Sequence, residues 1–171
     1  MKNNKIKEGI DGEYLFSDEE LEQDLTEEQL NEKGLKITHS WLYKLFIKSA
    51  YRLLQKPLIV FRILKKAIAR IQKYDSVQAF ALDAKDRLQV LIRMIRAYIG
   101  NEYTQISKTN AVLSLAAILY FLSPIDLIPD FLALGLLDDM AILTWVYLNF
   151  QREIEGFLEW EDENMLRIEI K

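Results

Sequence analysis

The 171-residue chain has no cysteine and a single histidine, His39, and only 3 prolines and 6 glycines. Without cysteine there is no disulfide framework, no thiolate metal site and no cysteine nucleophile, while the redox compartment stays open. One histidine cannot supply a His/Cys metal set. A histidine-dependent triad would hang on His39 alone, which reads better as a residue at a helix start. The glycines form no phosphate-cradling loop. The N-terminus, MKNNKIKEGIDGEYLF, carries lysines but no apolar core followed by small residues. This excludes a secretory signal and sets a cytoplasmic expectation.

A long apolar run is also missing. Ala111 to Leu122 is apolar over 12 residues, which as a helix spans ~18 Å against a hydrocarbon core of ~30 Å. Extension meets Ser123 and Pro124, then Asp126 at a cost of ~3 kcal/mol in lipid, then Pro129 and Asp130. The run therefore reads as the buried central helix of a domain. A shallow hairpin dipping into one leaflet is the alternative.

Acid is missing in one long interval, with no Asp or Glu between Glu32 and Asp75. Residues 1–35 hold 4 lysines and 11 acids (−7), residues 36–110 hold 15 basic and 4 acidic residues (+11), and residues 111–171 hold 3 and 11 (−8), within a net charge of −4. Such segregation points to an anionic contact, to acidic ends folding over a basic middle, or to both.

Hydrophobic residues make up 50% of the chain and mean hydropathy is −0.04, enough for one substantial core. Two capping boxes, Ser17-Asp18-Glu19-Glu20 and Thr26-Glu27-Glu28-Gln29, mark short helices in the acidic N-terminus, with Gly34 ending the second. Residues 1–35 thus read as a mobile acidic arm, or as a docking segment using Tyr14, Leu15, Phe16, Leu21 and Leu25.

Trp41 to Gln55 follows as a strong amphipathic helix. Lys44, Lys48, Arg52 and Lys56 keep to one side at ~100° per residue, and Leu42, Leu45, Phe46, Ala50, Leu53 and Leu54 gather opposite. Pro57 stops it. Leu58 to Lys73 repeats the design, with Arg62, Lys66, Arg70 and Lys73 facing away from Val60, Leu64, Ile68 and Ile71. Two ordinary helices with solvated basic faces would satisfy the pattern. The missing carboxylates, which would normally supply i,i+4 pairs, favour a surface for an anionic membrane, flanked by Trp41, Tyr43 and Tyr51. A third helix runs from a cap at Asp75 or Ser76 to Ile99, with Asp83 and Arg87 as an i,i+4 pair and Gly100 as its left-handed terminator.

Ser123-Pro124-Ile125-Asp126 is a helix-start signal, cut short by Pro129. Asp130 caps a further turn, Gly135 allows a bend, and Asp138-Asp139 open a helix through Met140 to about Phe157. A rival reading gathers Asp126, Asp130, Asp138 and Asp139 around Mg²⁺ or Ca²⁺, although their spacing matches no EF-hand or other dedicated pattern. The same carboxylates could serve acid-base chemistry only with a substrate cleft that the sequence does not identify.

The stretch YFLSPIDLIPDFLALGLLDD, Tyr120 to Asp139, closely resembles the signature of the YkvA-like domain of unknown function. Ser123, Pro124, Asp126, Pro129, Asp130, Gly135, Asp138 and Asp139 fall on its motif positions, and Gly100 and Tyr103 resemble its run-up, so the likeness spans about 95–145. The spacer Phe131 to Leu137 is one residue shorter than usual and lacks an additional proline. The resemblance implies a small, helical, largely bacterial protein, often predicted to be membrane associated, with no agreed enzymatic activity; no cofactor is expected from the sequence.

The expectation is an all-α bundle of about five helices with a central apolar helical hairpin, over 36–160, preceded by the acidic arm 1–35 and followed by a tail over 161–171. Leu166 to Lys171 alternates like a strand, but one strand has no sheet to join here, so this tail reads as disordered, with pairing to a copy of itself or another protein as the alternative. The function expected is non-enzymatic: a peripheral or scaffolding protein at the inner membrane face, using Lys44, Lys48, Arg52, Lys56, Arg62, Lys66 and Arg70 against anionic lipid or a protein partner. A nucleic-acid binder using the same segment and a metal-dependent enzyme built on the aspartates are the alternatives. Nothing identifies an oligomeric state.

If Ser123 and Asp126 cap a helix, Ser123→Ala and Asp126→Ala will each lower unfolding free energy by ~1 kcal/mol in urea, and neither EDTA nor Mg²⁺ will matter. A Tm that climbs by many degrees with millimolar Mg²⁺, and loses that response in Asp138→Asn, would establish the metal reading instead.

Overall fold

The computed structural model describes residues 26–72, 79–123 and 132–169, and within these every regular element is an α-helix. There are seven: α1 (Glu27–His39), α2 (Trp41–Leu53), α3 (Pro57–Gln72), α4 (Ala79–Ile99), α5 (Lys108–Leu122), α6 (Leu132–Asn149) and α7 (Gln151–Glu169). The all-helical expectation holds, and the count of about five falls short at the two ends of the chain.

At the N-terminal end, the Thr26 capping box is present as read: the Thr26 hydroxyl accepts from the Gln29 N–H at 3.3 Å and the Gln29 amide oxygen accepts from the Thr26 N–H at 2.9 Å. The helix does not stop at Gly34, which lies buried in mid-helix with Leu30 and Ile37. A Cβ on Gly34 would meet the Ala141 carbonyl oxygen and, at 2.5 Å, the Trp145 Cβ. Glycine is there because the backbones of α1 and α6 touch, and this pair is the most extensive among the described helices. α1 therefore crosses the boundary placed at 35/36, while residues 1–25 lie outside the described residues.

A single extended residue, Ser40, joins α1 to α2. Its N–H closes α1 on the Ile37 carbonyl and its hydroxyl accepts from the Tyr43 N–H at 3.2 Å. His39 is consequently the last residue of α1 rather than the start of α2. Pro57 occupies the first position of α3, where its missing donor costs nothing. At the end of α4 the left-handed residue is Asn101, with φ 56°, and not Gly100. The Glu102 N–H reaches the Ala97 carbonyl and the Asn101 N–H that of Tyr98, the bond pair of a Schellman motif. Asparagine tolerates this conformation better than most residues, so the left-handed residue that closes α4 falls one position after the glycine.

The centre is α5. Nine of its residues are buried, from Ala111 to Phe121, on every side of the helix, and α2, α3, α4 and α6 all pack against it. Ala111, Ala116, Ala117 and Ser114 make this possible, since small side chains let several neighbours approach at once. Tyr43 locks α2 on, its hydroxyl donating to the Leu113 carbonyl at 2.8 Å and its ring 6.2 Å from that of Tyr120. Burial drives the Tyr43 phenol far above its ordinary pKa, which keeps the hydroxyl protonated as a donor.

α6 begins at Leu132, not Asp138, and runs through Gly135. Leucine and alanine on both sides outweigh the cost of ~1 kcal/mol for one helical glycine. The expected single helix to Phe157 is in fact two, broken at the buried Phe150, whose carbonyl accepts from both Glu153 and Ile154. The expected tail is mostly helical as well, since α7 continues to Glu169. It is tied to α4 by the Arg93–Glu161 ion pair at 2.8 Å and to the connector before α5 by Tyr103, whose ring lies 5.5 Å from Phe157 and 5.3 Å from Trp160.

The Gly34 crossing has a test in its sign. At an ordinary helical position alanine would stabilise by ~1 kcal/mol. Here Gly34→Ala should lower stability by about 1–3 kcal/mol, as overpacking against backbone does, and a urea midpoint above wild type would show that α1 does not pack this closely on α6.

Candidate functional site

α2 and α3 each turn one side to the core. On α2 the buried residues are Tyr43 and Ala50, and on α3 they are Val60, Leu64, Ala67 and Ile71. With α5 taking both inner sides, the outer sides look away from it. Lys44, Lys48, Arg52, Lys56, Arg62 and Lys66 are all exposed there, and none of them forms an ion pair among the described residues. Lys65, left out of the sequence reading, joins them.

Arg70 is the exception among the seven basic positions. It is half-buried, donates from Nη1 to the Leu122 carbonyl at 3.3 Å, and lies 5.3 Å over the Phe121 ring. A guanidinium there meets the negative end of α5 and satisfies one of its terminal carbonyls, which ties α3 to α5.

The face is also more apolar than its charge pattern suggests. Leu45 and Ile68, read as core, are exposed, and Leu58 is the most exposed large hydrophobic residue at 75%. Seven of the nine exposed large hydrophobic side chains among the described residues lie on these two helices: Trp41, Leu45, Tyr51, Leu58, Ile59, Phe61 and Ile68. The sequence carried a signal for this. At ~100° per residue, Leu58, Phe61, Lys65 and Ile68 make a second stripe, about a third of a turn from Val60, Leu64, Ala67 and Ile71, and one core-facing side cannot hold both. At the edge of the face Lys108 Nζ sits 4.5 Å over the Tyr51 ring.

Arg87, also from the middle segment, is placed differently. Arg87 joins three helices, donating to Thr144 on α6 at 3.0 Å and to Glu27 on α1 at 2.6 Å, with its guanidinium 5.2 Å over the Tyr147 ring. At the break between α6 and α7, Glu153 accepts from the Ser107 N–H at 3.0 Å and from the Asn110 amide, placing a carboxylate on the positive end of α5. A shallow groove of about 520 Å³ opens beside it, lined by Asn110, Asn149, Arg152 and Glu153 among others. Its acid and amide are already committed to each other. Tyr103, against Gly156, has its phenol pKa raised by burial and then by the Glu153 and Glu159 carboxylates.

Of the signature positions, Ser123 ends α5 with an extended backbone, φ −62° and ψ 122°, the geometry a residue ahead of a new helix requires. Pro124, Asp126, Pro129 and Asp130 lie outside the described residues, and so does the expected turn. Gly135 and Asp138 lie on the described backbone of α6, and Asp139 is half-buried there. Among the described residues no three His, Asp or Glu side chains gather as metal ligands, and no helix is long and apolar enough to cross a membrane.

Comparison with known proteins bears on the scaffold beneath the face. The family model "Protein of unknown function (DUF1232)" matches residues 111–145, covering α5, the link after it and most of α6. The "Uncharacterized membrane protein YkvA" of Bacillus subtilis (strain 168) is 31% identical over 74 residues, which are 43% of this chain and 70% of that protein. The chain belongs to this YkvA-like family. No solved structure matches it. The family model stops short of α2 and α3, so the exposed basic and apolar face lies outside it.

The contrast between Arg70 and its neighbours can be measured. Arg70→Met should cost about 1–2 kcal/mol of stability through the lost carbonyl and ring contacts, whereas Arg62→Met and Lys66→Met should each stay within ~0.5 kcal/mol of wild type. Equal effects in urea denaturation would place Arg70 with the surface residues.

Proposed function

We propose that this protein is a non-enzymatic, peripheral membrane-binding protein that docks on anionic lipid through the outer side of α2 and α3. The observation that carries the reading is the coincidence of two features on that side: most of the exposed large hydrophobic residues, and a cluster of lysines and arginines with no acid anywhere on either helix. A solvated basic face would have no use for Leu58 or Phe61 in water. A protein interface would gain from them, but a second copy of the same face would bring like charges together. Lipid headgroups and the acyl boundary beneath them accept both kinds of side chain, and Trp41 and Tyr51 suit that boundary. The name of the Bacillus subtilis relative describes it as a membrane protein, which agrees with this reading.

Each basic residue near an anionic surface contributes ~1 kcal/mol, weakened by salt over a Debye length of ~8 Å. The protein should therefore sediment with vesicles of phosphatidylglycerol mixed with phosphatidylcholine, weakly with phosphatidylcholine alone, and be released by raised salt. Lys48→Glu with Arg52→Glu should reduce binding roughly tenfold or more, and Leu58→Ser should reduce the part that resists salt. Equal binding to both vesicles at high salt would point to insertion of the α5–α6 hairpin. No binding to either would leave a protein partner, and tighter binding to duplex DNA or RNA a nucleic acid.

A further inference from the structure

The face on α2 and α3 has a second occupant available within the chain. From Glu8 to Leu25 there are eight acids and no lysine or arginine, interspersed with Ile10, Tyr14, Leu15, Phe16, Leu21 and Leu25. That is the complement, in both charge and apolarity, of what α2 and α3 expose.

We propose that segment 8–25 folds back onto the outer side of α2 and α3 and closes it in the free protein, so that an anionic surface must displace the segment in order to bind. The competition rests on the reading of that face given above; the fold-back itself does not. Three observations support it.

The first is the point of attachment. The segment joins the fold at Thr26, the cap of α1, and α1 passes through the single residue Ser40 into α2. α1 is ~20 Å long, while 18 residues can extend ~60 Å, so the face is within reach. Tethering holds such a segment at an effective concentration of the order of millimolar, which populates a contact built from individually weak, exposed ion pairs.

The second is where other acids go. Glu27 pairs with Arg87 and Glu161 with Arg93, both on α4. Neither neutralises α2 or α3, so those helices keep their full positive charge for whatever covers them.

The third is local. The sequence Phe16-Ser17-Asp18-Glu19-Glu20-Leu21 matches the capping-box pattern with apolar residues at the two staple positions, and Leu21 and Leu25 have i,i+4 spacing. The segment can thus offer an apolar stripe edged by carboxylates.

The absence of native cysteine makes the test clean. Gln23→Cys in the full chain takes one nitroxide label, and the broadening of backbone amide signals is read by NMR at low salt without lipid. Broadening should concentrate on the exposed residues of α2 and α3, fade at high salt, and disappear when Glu19→Gln, Glu20→Gln, Glu22→Gln and Asp24→Asn are combined. The neutralised chain should also bind phosphatidylglycerol vesicles about tenfold more tightly, as expected if the free face is open a tenth of the time. Amides of α2 and α3 untouched by the label would overturn the fold-back, even if vesicles bind well. Broadening found only between labelled and unlabelled copies in a mixture would overturn it in favour of exchange between molecules. Broadening within one chain, with no vesicle binding even after neutralisation, would keep the fold-back and sink the membrane reading instead.

Discussion

The arrangement depends on α5 being buried all the way round. A helix with no solvent side needs neighbours on each flank, and α2, α3, α4 and α6 supply them. Each neighbour gives up one side to α5, and α3 and α4 also pack on each other. α2 and α3 carry more apolar surface than their inner sides can place. The surplus, Leu45, Leu58, Phe61 and Ile68, goes outward. Exposed apolar surface of this kind costs solubility and stability unless something covers it, so the packing of the core leads directly to the question of what α2 and α3 meet.

Parts of this were legible in the chain because local physics decided them. The periodicity of α2 and α3, the proline opening α3, the capping box at Thr26 and the apolar, small-residue character of α5 are short-range signals. What escaped depended on distant partners. Gly34 looks like a terminator until the α6 backbone is placed against it. Arg70 looks like its neighbours on the wheel until the end of α5 arrives beside it. The break at Phe150 has no proline or glycine to announce it; it occurs where the Phe150 ring packs on Trp145, at 5.8 Å, and Glu153 is drawn to the start of α5. The alternation of Leu166 to Glu169 suggested a strand, yet those residues continue α7.

The block pattern of charge changes meaning once folded. As a string, 36–110 is one basic segment. In space it divides. Arg87 and Arg93 on α4 meet Glu27 from the acidic N-terminal block and Glu161 from the acidic C-terminal one. Both acidic blocks thus lean on α4, one through α1 and the other through α7. The lysines and arginines of α2 and α3 have no such counterpart among the described residues, so these two helices carry a run of positive charge that no described acid offsets. A confined field of one sign orients an approaching anionic surface far better than the same charge spread evenly.

The family relationship and the exposed face inform different layers of the molecule. Residues 111–145 build α5 and most of α6, and the described side chains there are largely buried. What they determine is how α2, α3 and α4 are held. Tyr43 anchors α2 to the Leu113 carbonyl and Arg70 anchors α3 to that of Leu122, so the two basic helices are fixed to separate points along one family helix. Their outer sides are then set at a constant relation to each other, as the proposed docking on a flat surface would require. Several weak contacts held rigidly in one orientation bind better than the same contacts on a mobile arm, because the ordering cost has already been met in folding. If α2 and α3 dock as proposed, the scaffold would contribute to binding without touching the surface that is bound.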